Sequence, residues 1–105
     1  MELSAEQQER YARHLLLDGF DQEQLLAAAV RVRGTSKAAL WAARYLAASG
    51  VGTLLVDDET WHEELRALGP WLRLSGEASH EIAPSGTAAD GTRAAVEAVR
   101  RVLAT

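Results

Sequence analysis

The stretch that most constrains the fold runs over residues 30–58, where two short strands flank one long helix. The first predicted strand covers residues 30–33 and leads into Gly34. A helix over 36–49 follows, and after a Gly-Val-Gly turn a second strand covers 53–56 and ends in two aspartates. This order predicts a βαβ unit. When such a unit binds a nucleotide, the turn after the first strand receives phosphate and an acid after the second strand holds the ribose.

Two helices are predicted in front of this unit. Ser4 and Gln7 have the spacing of a capping box, which places a helix over residues 5–17. Asp21 and Gln24 repeat the pattern and predict a second, shorter helix that leads into the first strand.

Behind the unit the elements are shorter. Thr60 and Glu63 form a third capping box, which predicts a helix over 61–68. Residues 71–74 and 80–83 alternate between apolar and polar side chains and predict two short strands, with a hairpin as one interpretation.

The chain ends in a long predicted helix over 88–103, opened by Thr87 and Asp90. Four of its residues are expected to lie on one stripe: Thr92, Val96, Val99 and Leu103.

These elements predict an α/β fold with a small Rossmann-like partial βαβ core, a two-helix N-terminal extension and a long C-terminal helix. The 105 residues, 48% of them apolar, fit a single domain. Its parts are the N-terminal helices over 1–29, the core over 30–59 and a divergent region over 60–105.

The first strand alternates valine and arginine, at Val30, Arg31, Val32 and Arg33. A parallel strand covered on both faces is expected to be apolar throughout. The alternation therefore predicts that this strand is an edge strand or is open on one face.

Composition excludes several classes of function. The net charge of -4 argues against a nucleic-acid partner, and the absence of cysteine excludes disulfides, thiolate zinc sites and a catalytic thiol. There is no signal-peptide pattern and no apolar run of membrane-spanning length, so a cytoplasmic protein is expected. The three histidines do not share metal-ligand spacing.

Three motifs in the same register carry a resemblance to a known family. They are Glu-Arg-Tyr-Ala-Arg-His-Leu-Leu-Leu over 9–17 with Gly-Phe at 19–20, Tyr-Leu-Ala over 45–47, and Gly-Val-Gly over 50–52. Residues 4–58 resemble the ThiF/MoeB/HesA adenylyltransferases, which are akin to ubiquitin-activating enzymes. The resemblance implies use of ATP and Mg²⁺ to activate the C-terminus of a ubiquitin-like or sulfur-carrier protein.

The chain also departs from that family. The family turn is Gly-x-Gly-Gly-x-Gly, and over the corresponding residues 34–39 only Gly34 is retained. A Cβ at the other positions crowds the pyrophosphate and the contact between helix and strand. The family's Asn-x-x-Arg-Gln stretch is replaced by the predicted helix over 61–68.

The resemblance nevertheless implies where a retained nucleotide site would lie. Its residues are Arg13, Gly34, Ser36, Lys37, Asp57 and Asp58. Arg13 corresponds to an arginine that reaches the triphosphate, commonly across a dimer interface; its other interpretation is a helix-surface ion pair with Glu9. Lys37 suits phosphate or a partner carboxylate at the helix start, or is a plain surface lysine.

Asp57 and Asp58 correspond to the family's acids for ribose and metal, or form a solvated loop. Which of the two faces the site is left open by the sequence. Trp41, Trp61 and Trp71 are expected in the core, with Trp61 as the candidate for an exposed contact.

Three hypotheses for function follow. The first is a pseudoenzyme without cofactor, a protein-interaction or dimerisation module whose partner is itself, a homologue or a ubiquitin-like carrier; a homo-oligomer is expected. The second is an ATP- and Mg²⁺-dependent adenylyltransferase with a modified site. The third is an anion or small-molecule binder at the helix start from Gly34 to Lys37.

Overall fold

The computed structural model describes residues 22–104, in which helices and strands alternate along the chain. The elements are α1 (Gln22–Ala27), β1 (Ala29–Val32), α2 (Lys37–Ser49), β2 (Thr53–Val56), a 3-10 turn (Glu59–Trp61), α3 (His62–Leu68), β3 (His80–Ile82) and α4 (Ala88–Ala104). The predicted α/β class with a βαβ core and a long last helix is confirmed. The predicted helix over 5–17 lies outside the described residues.

Among residues 22–104 the sheet has three parallel strands in the order β2-β1-β3. Arg73 adds a single bridge on the free side of β2, where its N–H donates to the Gly52 carbonyl and its carbonyl accepts from the Leu54 N–H, both at 2.9 Å. If Arg73 is counted as a strand position, the spatial order is third, second, first, fourth. A doubly wound nucleotide-binding sheet begins with the same order.

β1 is the central strand, so the expectation of an edge position is wrong. Its valines are fully buried, whereas Arg31 and Arg33 point to the opposite face and remain partly or largely exposed. Arg33 forms an ion pair with Glu81 of β3 on that face. The alternation therefore reports a strand with one apolar and one charged face, which matches the half-open alternative.

The expected hairpin between residues 71–74 and 80–83 is also wrong. Arg73 pairs beside β2, whereas β3 pairs with β1 on the other side, and every pairing is parallel. The Ser79 N–H donates to the Ala29 carbonyl at 2.9 Å and brings the chain alongside β1. Two four-residue alternating runs carry no information on which neighbour each will pair with.

One face of the sheet is covered by α2 and α4, which pack closely on each other through small residues. A Cβ placed on Gly91 of α4 would overlap the backbone carbonyl of Ala38 in α2. The buried residues of α4 are Gly91, Ala95, Ala98, Val99 and Val102.

Of the stripe predicted on α4, Val99 is fully buried and Leu103 packs against the core. Thr92, Val96 and Leu103 are only half-buried. The most deeply buried face of α4 is instead rich in glycine and alanine, because close approach of two helices needs small residues.

Capping explains where the helices begin. Thr35 and Ser36 are both residue types that can cap a helix, and Ser36 is the one that caps α2, by accepting the Ala39 N–H at 3.1 Å. Thr87 and Asp90 open α4 as predicted, and they do so through a capping box: the Thr87 N–H donates to Asp90 Oδ2 at 2.8 Å and the Asp90 N–H donates to Thr87 Oγ1 at 3.2 Å.

The capping box predicted at Thr60 is wrong. Asp58 caps the 3-10 turn instead, by accepting the N–H and the hydroxyl of Thr60. Because this turn comes first, the helix that follows begins one residue later than expected, at His62.

Candidate functional site

The carboxyl ends of β1 and β2 bring together two of the residues singled out in the sequence. Gly34 follows β1 with a φ of 95°, a conformation that glycine adopts without strain. Asp57 follows β2, and its Oδ2 accepts a hydrogen bond from the Gly34 N–H at 2.8 Å. Asp57 Oδ1 lies 3.6 Å from Arg31 Nη1. Asp57 is therefore the aspartate that faces the turn, and its carboxylate ties the ends of the two strands together.

Ser36 connects the same turn to the loop after β3. Its hydroxyl accepts from the Ala39 N–H and donates to the Pro84 carbonyl at 3.3 Å. One of the N–H groups that opens α2 is thus satisfied by the helix's own cap.

Lys37 is the first residue of α2 and is exposed. Within residues 22–104 its ammonium group has no ion-pair or hydrogen-bond partner. The space that a Cβ on Gly34 would enter is open, with no described atom within 4 Å. A cationic side chain and an open surface therefore lie beside the start of α2, where the helix dipole favours anions.

Asp58 is turned toward its own chain. The Thr60 hydroxyl at 2.6 Å and the Thr60 N–H at 3.0 Å both donate to its Oδ1. These hydrogen bonds lower the pKa of Asp58 below its ordinary value, the hydroxyl having the larger effect. Both carboxylates expected at a ribose or metal site are therefore hydrogen-bonded to backbone N–H groups of the chain itself.

Arg13 of the predicted nucleotide site lies outside the described residues. In the part of the chain from 22 to 104, no group of three histidine, aspartate or glutamate side chains is arranged to hold a metal ion. None of the helices described there is long and apolar enough to cross a membrane.

A second site, which the sequence did not reveal, lies between α2 and α3. It is an open groove of about 990 Å³. Its lining includes Trp41, Arg44, Tyr45, Glu64, Leu68 and Thr92.

The expected core position is wrong for Trp41 and Trp71 but is confirmed for Trp61, which is not the exposed member of the three. Trp41 and Trp71 are exposed, at 40% and 43%, whereas Trp61 is half-buried and packs against the core. The inner face of α2 is formed by alanines together with Leu46, which leaves Trp41 exposed, while Tyr45 is half-buried and packs against the core. The run of alanines was the signal that could have located the groove, because small residues mark the close-packed face of a helix.

Arg44 organises the charges of this groove. Its Nη2 lies 2.7 Å from Glu64 Oε1 on α3, and its Cζ lies 4.9 Å from the centre of the Trp41 ring. The guanidinium thus combines an ion pair with a cation–π contact. Its Nε is buried and has no hydrogen-bond partner among the described residues.

Comparison with protein-family models finds no match for this chain, and comparison with curated proteins finds none either. The function is therefore inferred from the turn at Gly34, from the groove beside Trp41 and from the sequence resemblance.

Proposed function

We propose that the chain is a non-catalytic relative of the ThiF/MoeB/HesA adenylyltransferases that acts as a protein-interaction or dimerisation module. The observation that carries this proposal is the hydrogen bond from the Gly34 N–H to the Asp57 carboxylate. In a nucleotide-binding turn that region is where backbone N–H groups meet phosphate. Here the carboxylate of Asp57, a residue of the same chain, accepts the hydrogen bond from the Gly34 N–H.

The carboxylate opposes phosphate binding in two ways. A phosphate has to displace Asp57 from the Gly34 N–H, and it also has to approach a negative charge. Repulsion between two unit charges at about 4 Å amounts to about 1 kcal/mol in water and about 4 kcal/mol near a protein surface. Because Asp57 is partly exposed, the lower part of that range applies.

The groove between α2 and α3 supports the protein-binding part of the proposal. It presents an exposed tryptophan, Tyr45 and Arg44, and these three residue types are enriched in protein interfaces. Exposing a tryptophan beside an open apolar groove to water costs free energy, and a protein surface that covers both would recover it.

Anion binding at the helix start is the alternative with a specific observation in its favour. Lys37 is exposed, without a partner among residues 22–104, and lies beside the open space at Gly34. An adenylyltransferase would use this same place, with Gly34, Ser36, Lys37 and Asp58 on ATP and Mg²⁺ and with Arg13 supplied by a second copy.

One set of measurements on the full chain separates these functions. We expect millimolar ATP with Mg²⁺ to leave the melting curve unmoved and to give no ATP–pyrophosphate exchange. We also expect light scattering, or chemical cross-linking in a lysate of the source cells, to show the chain associated with itself or with a specific partner.

A nucleotide present at a hundred times its dissociation constant would stabilise the fold by about 2.7 kcal/mol, which a melting curve detects. Such a shift together with pyrophosphate exchange would establish the enzyme instead. Stabilisation by inorganic phosphate that is lost in Lys37→Ala, without any exchange activity, would establish the anion binder. A strictly monomeric chain with no cross-linked partner would remove the interaction module.

A further inference from the structure

We propose that the outer face of the sheet, which is the face turned away from α2 and α4, is covered by the predicted helix over residues 5–17 of the same chain. The proposal goes beyond the proposed function and does not depend on it. Three observations carry it: a buried leucine on the outer face, the place where the described part of the chain begins, and the side chains of the residues that precede it.

The register of the strands defines the outer face. Side chains alternate between the two faces along a strand, and register partners on neighbouring strands point to the same face. Val30 and its partner Leu54 belong to the buried cluster under α2 and α4. Arg31 therefore lies on the outer face, together with its partners Leu55 and Glu81.

Leu55 is buried on the outer face, with only 6% of its surface exposed. All four helices described over residues 22–104 contribute to the buried cluster on the other face, and Leu55 is not part of that cluster. The connection over residues 75–78 is exposed and carries no large apolar side chain. A parallel sheet is normally covered on both faces. Leu55 therefore needs an apolar cover that the helices described over 22–104 do not supply.

The covered area lies toward the amino ends of β1 and β2. Ala29 and its partner Thr53 are on the same face as Leu55, two residues before Arg31 and Leu55, and both are half-buried. Arg33 and Glu81 keep 55% and 50% of their side chains exposed. The cover therefore reaches from Leu55 toward the amino ends of the two strands and leaves the carboxyl end of β1 open.

The described part of the chain begins next to this area. α1 starts at Gln22 and leads into β1 at Ala29, and a Cβ on Gly52, just before β2, would overlap the Leu26 carbonyl of α1. Residues 18–21 span up to about 14 Å when extended. A helix over 5–17 is about 20 Å long, which is enough to cross three strands spaced about 4.8 Å apart. The segment that precedes α1 is thus long enough to turn round the edge of the sheet and lie on its outer face.

The sequence of this segment has the apolar stripe that Leu55 needs. On a helix over residues 5–17, one side is made by Tyr11, Ala12, Leu15 and Leu16. An isolated helix of this length is only marginally stable in water, so it depends on packing its apolar side against another element.

Charge favours the same contact. Arg31, Arg33 and Arg73 lie on the outer face, where they outnumber Asp57 and Glu81. Residues 1–21 contain five acidic residues and two arginines. Exposed ion pairs add little free energy, so the apolar contact holds the helix and the opposite charges orient it.

The first experiment is hydrogen–deuterium exchange of the full chain, followed by mass spectrometry, with a synthetic peptide of residues 1–21 as the reference. The peptide should exchange at the rates of an unfolded chain. We expect the amides over residues 9–17 to exchange about a hundredfold or more slowly in the full chain, because a packed helix has to open before it exchanges. Equal rates in the peptide and in the full chain would overturn the proposal.

The second experiment locates the segment by cross-linking cysteines introduced into the full chain, which has no cysteine of its own. Leu15→Cys combined with Leu55→Cys should be joined within one chain by a short bismaleimide. The matched control combines Leu15→Cys with Ala48→Cys, which lines the groove between α2 and α3. We expect the first pair to react at least about tenfold faster than the control pair.

Faster reaction of the control pair would place the segment in the groove and overturn the proposal. Cross-links that join two chains would assign the outer face to a second copy, which would also overturn it. Should Leu55→Cys fail to fold, as judged by circular dichroism, Arg31→Cys replaces it, since Arg31 is the register partner of Leu55 on the same face. The exchange experiment needs no substitution and decides the outcome independently.

Discussion

The backbone N–H of Gly34 donates to the carboxylate of Asp57 at 2.8 Å, across the ends of two neighbouring parallel strands. The two residues are separated by the whole of α2, yet the register that pairs Val32 with Val56 places them side by side. The Gly34 N–H could donate to a ligand, but in this structure it donates to the side chain of Asp57 instead.

Replacement of Asp57 by alanine should release that donor and remove the local negative charge. We expect Asp57→Ala to bind inorganic pyrophosphate more tightly than the wild type, by about fivefold or more, since a repulsion of about 1 kcal/mol is removed. The unfolding free energy should fall by about 1 kcal/mol because one hydrogen bond to an exposed charged group is lost. Isothermal titration calorimetry and urea denaturation measure the two effects.

The matched control for this change is Glu59→Ala, which removes a nearby exposed acid while leaving the Gly34 contact intact. Equal pyrophosphate affinities for Asp57→Ala and the wild type would show that Asp57 does not block the turn.

Replacement of Gly91 by alanine should destabilise the protein although alanine is the better helix former. Helix propensity favours alanine by about 1 kcal/mol, but the added Cβ overlaps the backbone of Ala38, and overpacking of this kind costs about 1 to 3 kcal/mol. Because backbone has to move, we expect a net loss of about 1 kcal/mol or more in urea denaturation. Arg93→Ala, on the exposed face of the same helix, should stay within about 0.5 kcal/mol. A more stable Gly91→Ala protein would show that the two helices separate easily.

Loss of the α2 cap should be measurable in the same way. Ser36→Ala removes the acceptor for the Ala39 N–H and the link to the Pro84 carbonyl. We expect a loss of about 1 kcal/mol in unfolding free energy, the usual effect of removing a serine cap. Thr35→Ala changes an exposed neighbour that does not cap the helix, so it should be nearly neutral; equal losses from both changes would contradict the assigned cap.

The capping box of α4 predicts a dependence on acid. The N–H and, to a smaller extent, the hydroxyl of Thr87 donate to Asp90, which lowers the pKa of Asp90 below its ordinary value of 3.8. A carboxylate whose pKa is lower in the folded state than in the unfolded state stabilises the fold when it is ionised. This stabilisation is complete at pH values above the unfolded-state pKa and is lost as the pH falls through the folded-state pKa. Melting curves from pH 7 to pH 2 should therefore show a difference between wild type and Asp90→Asn that shrinks below about pH 4. A difference that is constant across this range would show that the charge of Asp90 has no part in it.

The βαβ unit could be predicted from the sequence because its boundaries are marked locally. Ser36 supplies a cap, and Gly50 ends the helix in a left-handed conformation with a φ of 104°. The partners of Arg73 and of β3 could not be predicted, because they depend on contacts with strands roughly 20 to 50 residues earlier. The groove could not be predicted for a different reason, since a tryptophan such as Trp41 is expected in the core, whereas alanines occupy the buried face of α2.

For the turn at Gly34, the sequence predicts which residues come together but not which hydrogen bonds they make. Gly34, Ser36 and Asp57 were each singled out as ligand-binding residues, and the structure does bring them to one edge of the sheet. Their hydrogen bonds are made to one another and to neighbouring backbone, however. Matching residue types to a motif cannot reveal this, because a donor that serves a ligand and one that serves the protein look the same in a sequence.

The central position of β1 also bears on how the chain is made. This strand leaves the ribosome before both of its neighbours, and its second neighbour arrives only at residue 80. Until then one side of the strand offers unpaired backbone groups, the kind of surface that recruits other chains into aggregates. A protein cut short after residue 79 would lack β3, and that side of β1 would stay unpaired. The last quarter of the chain therefore protects β1 from pairing with other chains.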